Sequence, residues 1–146
     1  MSEKGVFAGK VVIVTGSSSG IGQEAAVMFG REGASVVIHG QDAGRLQKTE
    51  DIMTAEGVDP THILQVLGSL EAEDTPQKIY TATMEKFQRI DVLVNNAGAG
   101  IKPGTVDPND MENLDFIYRV NVRSGGADAA VPARAGEVQG EYCERE

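Results

Sequence analysis

The sequence contains a single cysteine, no tryptophan and no long apolar run. One cysteine, Cys143, excludes an internal disulfide, and we expect a reducing, cytoplasmic setting. No apolar stretch approaches the roughly 20 residues of a membrane-spanning helix, and the first residues, Met1–Lys4, lack a signal-type apolar segment. His39 and His62 stand apart from each other and from any ligand cluster, so we expect both to be structural and predict no metal site.

Basic residues are also scarce. The chain has 13 Lys and Arg against 22 Asp and Glu, a formal net charge of −9 and an isoelectric point near 4.7. This balance argues against nucleic acid or an anionic membrane as the main partner. The acidic residues are dispersed, which is typical of a solvated surface. With 146 residues, a single domain is expected.

Glycine is abundant at one point, directly behind the apolar run Val11–Val14. The segment Thr15–Gly22 reads Thr-Gly-Ser-Ser-Ser-Gly-Ile-Gly, and a helical pattern follows it. Three such glycines allow a tight turn, a close backbone approach to a diphosphate and close packing of the helix on the sheet. The free N–H groups at the start of the helix would face the phosphates. Taken alone, the segment is equally compatible with an ordinary strand–turn–helix connection.

A second motif, Asn95-Asn96-Ala97-Gly98, follows another short apolar run, Ile90–Val94, about eighty residues after the first. The two motifs, each at a predicted strand end and at this spacing, resemble the short-chain dehydrogenase/reductase family. The gap of three residues between the first two glycines separates this family from most other dinucleotide folds. The resemblance extends from about Lys10 to Ser124.

Strand-like and helix-like segments alternate along the chain. The predicted strands are Val11–Thr15, Ser35–His39, Thr61–Leu67 and Asp91–Val94, and the predicted helices are 21–32, 43–56, 75–88 and 108–121. The alternation implies right-handed βαβ units and a parallel sheet. The fold class is therefore α/β, a Rossmann-like doubly wound sheet with strand order 3-2-1-4, expected to be truncated after the fourth strand and fourth helix. Both motifs then lie at the crevice between strands one and four.

The resemblance implies roles for particular residues. The residues that would bind the cofactor diphosphate are Gly16, Ser18, Ser19, Gly20, Ile21 and Gly22. Asn95, Ala97 and Gly98 would stabilise the sheet and line the adenosine and ribose side, although a simple strand-end turn is the alternative.

The residues after the second strand bear on the choice of cofactor. Position 40 is Gly, so the acid that accepts the ribose hydroxyl of NAD is missing, and Gln41 stands where Arg is common in NADP users. Arg45 lies one helical turn further on, where it can assist or simply be solvated. NADP is slightly favoured over NAD. Ser69 replaces the Asp that the family usually places against the adenine.

The family's chemistry is hydride transfer between a nicotinamide cofactor and a carbonyl or alcohol carbon. It uses a Tyr as acid/base, whose pKa is lowered by a Lys four residues later, together with a Ser and an Asn. Asn121 matches the Asn, and a helix-end cap is its alternative role. The Tyr-x-x-x-Lys pattern is absent, because Met84 follows Tyr80, Val122 follows Tyr118 and Glu146 follows Tyr142 at that spacing.

The character of the chain changes after Arg123. We expect residues 1–123 to form a partial dinucleotide-binding domain and residues 124–146 to be a tail outside the family, disordered or frame-shifted. If the codons from Gly125 are read one base later, they permit Val-Val after Ser124 and a Ser-Ile-Val-Asn-Val-Ser segment near the end. That segment resembles the family's fifth strand and its approach to the catalytic Ser.

Two functions remain open. The first is an NAD(P)-dependent oxidoreductase acting on a small carbonyl or alcohol substrate, represented by a truncated chain that is inactive alone. The second is a non-catalytic nucleotide-binding fragment, or an isoform that pairs with a partner. A homo-oligomer through the fourth helix is the assembly that the resemblance implies, because in the family this helix contributes to the dimer interface.

Overall fold

A computed structural model describes residues 5–99 and 111–123. Four parallel strands form one sheet in the order β3-β2-β1-β4, which confirms the predicted fold class and strand order. The strands are β1 Val11–Val14, β2 Ser35–Gly40, β3 Ile63–Leu67 and β4 Val92–Val94. The helices are α1 Gly20–Arg31, α2 Ala43–Ala55, α3 Thr75–Phe87 and α4 Met111–Tyr118, and α4 continues into a π-helical turn, Arg119–Arg123.

Both faces of the sheet are covered, which explains why its strands are apolar without alternation. On one face, Val12 and Val14 of β1 pack with α1 and α2, where Leu46 and Met53 are fully buried. On the other face, Ile13 packs with β2, β3 and α3. Strand β1 pairs with β2 on one side and with β4 on the other, so the turn that follows it lies inside the carboxyl edge of the sheet.

The third predicted strand begins two residues too early. Pro60–His62 form a short 3₁₀ turn, and β3 starts only at Ile63. The side chain of Asp59 accepts hydrogen bonds from the N–H and the hydroxyl of Thr61, at 2.9 and 2.8 Å. Such an Asp before Pro favours a turn over continued extension.

Other predictions fall partly outside the described residues. Residues 108–110, which were predicted to open the fourth helix, and the tail 124–146 both lie there. Within the part of the chain that the structure describes, no helix is long and apolar enough to cross a membrane.

Asp91, just before β4, joins this strand to the start of β1. Its carboxylate accepts a hydrogen bond from the Val11 N–H at 2.8 Å and a bidentate pair from Arg89 at 2.8 and 2.6 Å. Lys10 lies 3.9 Å away. Burial alone would raise the pKa of Asp91, but the hydrogen bonds from Arg89 and Val11 and the two nearby cations outweigh burial and hold that pKa below its ordinary value of 3.8.

Asp91→Asn is therefore expected to lower the free energy of unfolding by about 1–2 kcal/mol at neutral pH. Because the folded pKa lies below the unfolded one, the contribution of Asp91 is present above pH 3.8 and is lost as the pH falls toward the folded pKa. Urea unfolding of both proteins between neutral and acidic pH should show the difference shrink on acidification. Glu85→Gln, on the exposed side of α3, is the control, and a difference for Asp91→Asn that persists unchanged in acid would contradict the assignment.

Candidate functional site

The two sequence motifs meet at the carboxyl edge of the sheet. Strands β1 and β4 pair in parallel with Val14 opposite Val94, so the residues that follow each strand are neighbours. Thr15 is 6% exposed, and its hydroxyl donates to the Val94 carbonyl at 3.3 Å. The same oxygen accepts from the N–H groups of Asn96 and Ala97, both at 3.1 Å. One hydroxyl therefore joins the glycine turn, Thr15–Gly22, to the segment after β4.

Asn96 provides the reciprocal connection. Its side-chain amide donates to the carbonyls of Thr15 and Gly16, both at 3.1 Å. The two segments approach too closely for extra side-chain atoms, since a Cβ on Gly16 would lie 2.7 Å from the Ala97 Cα. A Cβ on Gly22 would overlap Asn96 Nδ2 and the Gly16 carbonyl oxygen. Gly16 also has a positive φ of 64°. The turn is thus held in one conformation at the start of α1.

The N-terminus of helix α1 has the features of an anion-binding site. Ser19 is its N-cap but makes no side-chain capping hydrogen bond, and no acidic residue lies in the first turn. Ser19, Gly20 and Ile21 are exposed, and Gly20 has a φ of 57° with open space where a Cβ would be. An uncapped helix N-terminus with accessible backbone N–H groups binds phosphate well. The start of α1 is therefore suited to an anionic group.

The residues after β2 form a separate part of this edge. Gln41 is exposed, and Asp42 caps α2 by accepting from the Arg45 N–H at 2.9 Å. A Cβ on Gly40 would lie 2.9 Å from the Ser18 Cβ, so Ser18 occupies the space beside β2 where a larger side chain would project. Ser69, after β3, accepts from the Glu71 N–H at 3.2 Å.

A buried polar network supports the glycine turn from below. The Ser17 hydroxyl donates to the Val14 carbonyl at 2.8 Å and accepts from the His39 N–H at 2.9 Å. The Thr49 hydroxyl of α2 donates to the Ser17 carbonyl and accepts from the Gln23 side chain, both at 2.9 Å. Ser17 and Thr49 are fully buried. Three of these four bonds link residues more than 20 positions apart, so the network ties the turn to β2, α1 and α2 at once.

Asn121 lies in the π-helical turn that continues α4. Its side-chain oxygen accepts from the Ala99 N–H and its nitrogen donates to the Ala99 carbonyl, both at 2.7 Å. A Cβ on Gly98 would lie 2.6 Å from the Asn121 oxygen. π-Helical turns inside α-helices occur frequently at functional sites. Asn121 therefore connects the fourth helix to the end of the second motif.

The structure brings together most of the residues singled out from the sequence. The glycine turn contacts Ala97, and Asn121 contacts Ala99 beside Gly98, while Asn95 and Gln41 are exposed. Sequence reasoning expected His39 to be structural without giving it a contact, and it assigned no role to the other residues that make the connections, which are Thr15, Asn96, Ser17, Thr49 and Gln23. Thr15 and Asn96 stood within the quoted motifs, so a strand-end hydroxyl facing a strand-end amide was the available signal. The side chains that join the two motifs are hydroxyls and amides, which orient a ligand rather than carry charge.

Comparison with known proteins agrees with this geometry. A model of the family described as short chain dehydrogenase matches residues 10–126. An uncharacterized oxidoreductase of Thermotoga maritima is 38% identical over 117 residues, which make up 80% of this chain and 44% of that protein. The glucose dehydrogenase of Caenorhabditis elegans in its apo-form has a TM-score of 0.76 at 38% identity, and the match covers 86% of this chain and 48% of that one.

A metagenomic short-chain oxidoreductase in complex with NADP has a TM-score of 0.73 at 30% identity, with 83% of this chain and 53% of that one covered. The chain thus spans about half the length of the proteins it matches. The matched half is the one that contains the β1–β4 crevice.

Proposed function

Because the chain belongs to the short-chain dehydrogenase family, we propose that it binds a nicotinamide dinucleotide at the β1–β4 crevice. The observation that carries this proposal is the glycine turn, which is fixed by Thr15 and Asn96 and leads into an uncapped helix N-terminus. The residues that would surround the diphosphate are Gly16, Ser18, Ser19, Gly20, Ile21 and Gly22. The hydroxyls of Ser18 and Ser19 and the backbone N–H groups at the start of α1 would donate to it. Asn95, Ala97 and Gly98 would line the adenosine and ribose side.

The reaction proposed for the whole protein is oxidation or reduction of a small alcohol or carbonyl substrate. The nicotinamide, when bound, would accept or donate the hydride. Asn121 would hold the π-helical turn against the second motif, in the position of the family's proton-relay Asn. The sequence contains no Tyr-x-x-x-Lys. We therefore propose that this chain alone binds the cofactor without turnover.

NADP is proposed as the preferred cofactor, and its binding is the first test. Position 40 is Gly rather than the acid that accepts the ribose hydroxyl of NAD, and Arg45 lies exposed in the first turn of α2. Titration of the full chain with NADPH and NADH should show tighter binding of NADPH. Arg45→Gln should reduce NADPH affinity about fivefold, the size of an exposed charge pair, and leave NADH unchanged. If the chain binds neither NADPH nor NADH, the proposal is rejected. If Arg45→Gln lowers the affinity for both dinucleotides equally, the role of Arg45 is rejected.

The alternative function is a non-catalytic nucleotide-binding fragment or an isoform that pairs with a partner. The observation in its favour is the apolar exposure of α4, where Met111, Leu114 and Tyr118 are 68, 56 and 58% exposed. Turnover of NADPH with a panel of ketones and aldehydes tests this alternative. Measurable turnover by the purified chain would reject the non-catalytic function, whereas binding without turnover is expected of this chain alone under both functions.

We further propose that residues 124–146 result from translation of a normal family sequence in a shifted reading frame. The support is that the codons from Gly125, read one base later, can encode Val-Val and then Ser-Ile-Val-Asn-Val-Ser. Sequencing of the transcript across codons 120–147 should reveal a one-base difference after Ser124. An unchanged transcript would reject this proposal and leave cofactor binding as the activity to test.

A further inference from the structure

His39 is a buried histidine, 2% exposed, at the end of β2. Its side chain lies between two segments that are far apart in sequence. Nδ1 lies 3.3 Å from the Gly16 nitrogen, in the glycine turn, and Nε2 lies 2.9 Å from the Gly68 carbonyl oxygen, just after β3. The backbone of His39 is fixed as well, because its N–H and carbonyl pair with the Ser17 hydroxyl and the Ser17 N–H, both at 2.9 Å.

These two contacts define one protonation state of the ring. Gly16 contributes an N–H donor, so Nδ1 must be an acceptor, and Gly68 contributes a carbonyl, so Nε2 must carry the proton. Both bonds are made only by the neutral Nε2–H tautomer. A protonated imidazole would direct an N–H at the N–H of Gly16 and lose that hydrogen bond.

Gly16 is the residue through which this loss would reach the ligand site. Its carbonyl accepts from Asn96, and its Cα lies against Ala97 with no room for a side chain. Its N–H is therefore one of the contacts that set where the turn and the first N–H groups of α1 lie. We infer that neutral His39 is a positioning residue for the dinucleotide turn, so that its protonation loosens the Gly16 peptide and weakens cofactor binding. The inference rests on the proposed dinucleotide binding.

The surroundings of the ring support this reading. Burial lowers the pKa of His39 below its ordinary value of 6.5, and the bond to the Gly68 carbonyl only partly opposes the effect. Neighbouring elements contribute no charged side chain to the shift. Within the described residues, the charged side chains near the start of α1, at the start of α2 and just after β3 are exposed, namely Glu24, Asp42, Arg45 and Glu71. His39 is thus neutral at pH 7 and gains its proton only on acidification.

The test is the pH dependence of NADP binding by the full chain, compared with a variant that cannot titrate. His39→Asn keeps an acceptor for the Gly16 N–H and has no acidic transition. The 2′-phosphate of NADP titrates near pH 6, but this affects both proteins equally. The ratio of wild-type to His39→Asn affinity is therefore expected to fall up to about tenfold as the pH is lowered from about 8 until His39 is protonated, the size of one lost hydrogen bond.

A second variant and a ligand-free measurement complete the test. His39→Leu keeps an apolar side chain in the pocket but neither hydrogen bond, and it should bind NADP about tenfold more weakly at pH 8. In the ¹⁵N-labelled wild-type chain without NADP, the Gly16 amide signal should shift together with protonation of His39.

The outcomes separate the two proposals. The positioning role would be overturned, with dinucleotide binding left intact, by either of two results. The first is a ratio of wild-type to His39→Asn affinity that stays constant while His39 becomes protonated, and the second is a Gly16 amide signal that does not change with that protonation. Failure of the wild-type chain to bind NADP or NAD at pH 8 would reject the proposed function, and with it the effect of His39 on affinity.

Discussion

Replacing Gly22 with alanine is expected to lower the free energy of unfolding by about 3 kcal/mol and to reduce dinucleotide affinity more than tenfold. Helix propensity alone predicts the opposite, because alanine is favoured over glycine inside a helix by about 1 kcal/mol. The deciding factor is space. The new Cβ would overlap Asn96 Nδ2 and the Gly16 carbonyl oxygen and would lie 2.9 Å from the Gly16 carbonyl carbon. Two of these three atoms are backbone, which cannot move without shifting the turn.

Gly44→Ala is the matched control. Gly44 also lies in the first turn of a helix, but it is exposed, and its Cβ would meet only the Asp42 carboxylate at 3.3 Å. The higher helix propensity of alanine should therefore decide the effect of Gly44→Ala and raise the free energy of unfolding by up to about 1 kcal/mol. Urea unfolding of the three proteins and NADPH titration at low temperature provide the measurements. Equal effects of the two alanines would show that the approach of Gly22 to Asn96 does not constrain the turn.

The strand order and the location of the site were predictable from the sequence. Val11–Val14 is short, β-branched and unbroken, which is the pattern of a strand buried on both faces, and the structure buries all four residues. A glycine motif followed one such apolar run and an asparagine motif followed another, so a doubly wound sheet had to place both motifs at one edge. These features are local in sequence, and their consequences for topology are general.

The contacts that hold the site were not predictable in the same way. His39 lies within an apolar strand pattern and Thr49 within an amphipathic helix, and neither residue type nor spacing marks them. Both are buried because their polar groups find partners in the glycine turn, at 3.3 Å for His39 and 2.9 Å for Thr49. Such partners are set by tertiary packing rather than by local propensity. The 3₁₀ turn at Pro60–His62 is different, since Asp59 before Pro60 was a readable turn signal.

The central position of Thr15 leads to the second large effect. Thr15→Val preserves the shape of the side chain and removes the hydroxyl oxygen that bonds to the Val94 carbonyl and to the N–H groups of Asn96 and Ala97. The Ala97 N–H would lose its acceptor, and the Asn96 N–H would keep only the Val94 carbonyl at 3.0 Å. Leaving a buried donor unpaired costs about 1–3 kcal/mol. We expect the free energy of unfolding to fall by about 2–3 kcal/mol and NADPH affinity to fall with it, because Asn96 then loses its alignment with the turn.

Thr15→Ser retains the hydroxyl and should recover most of both losses, which distinguishes the hydrogen bonds from the packing of the methyl group. The coupling between the motifs can be measured directly with a double-mutant cycle that adds Asn96→Ala. If Thr15 and Asn96 hold the turn as one unit, the double variant should be less destabilised than the sum of the single variants, by about 1 kcal/mol or more. Strict additivity would mean that the two strand ends are stabilised independently. In that case the end of β1 and the end of β4 would each keep its conformation without the other. Thr15→Val should then leave the affinity for NADPH close to that of the wild-type chain.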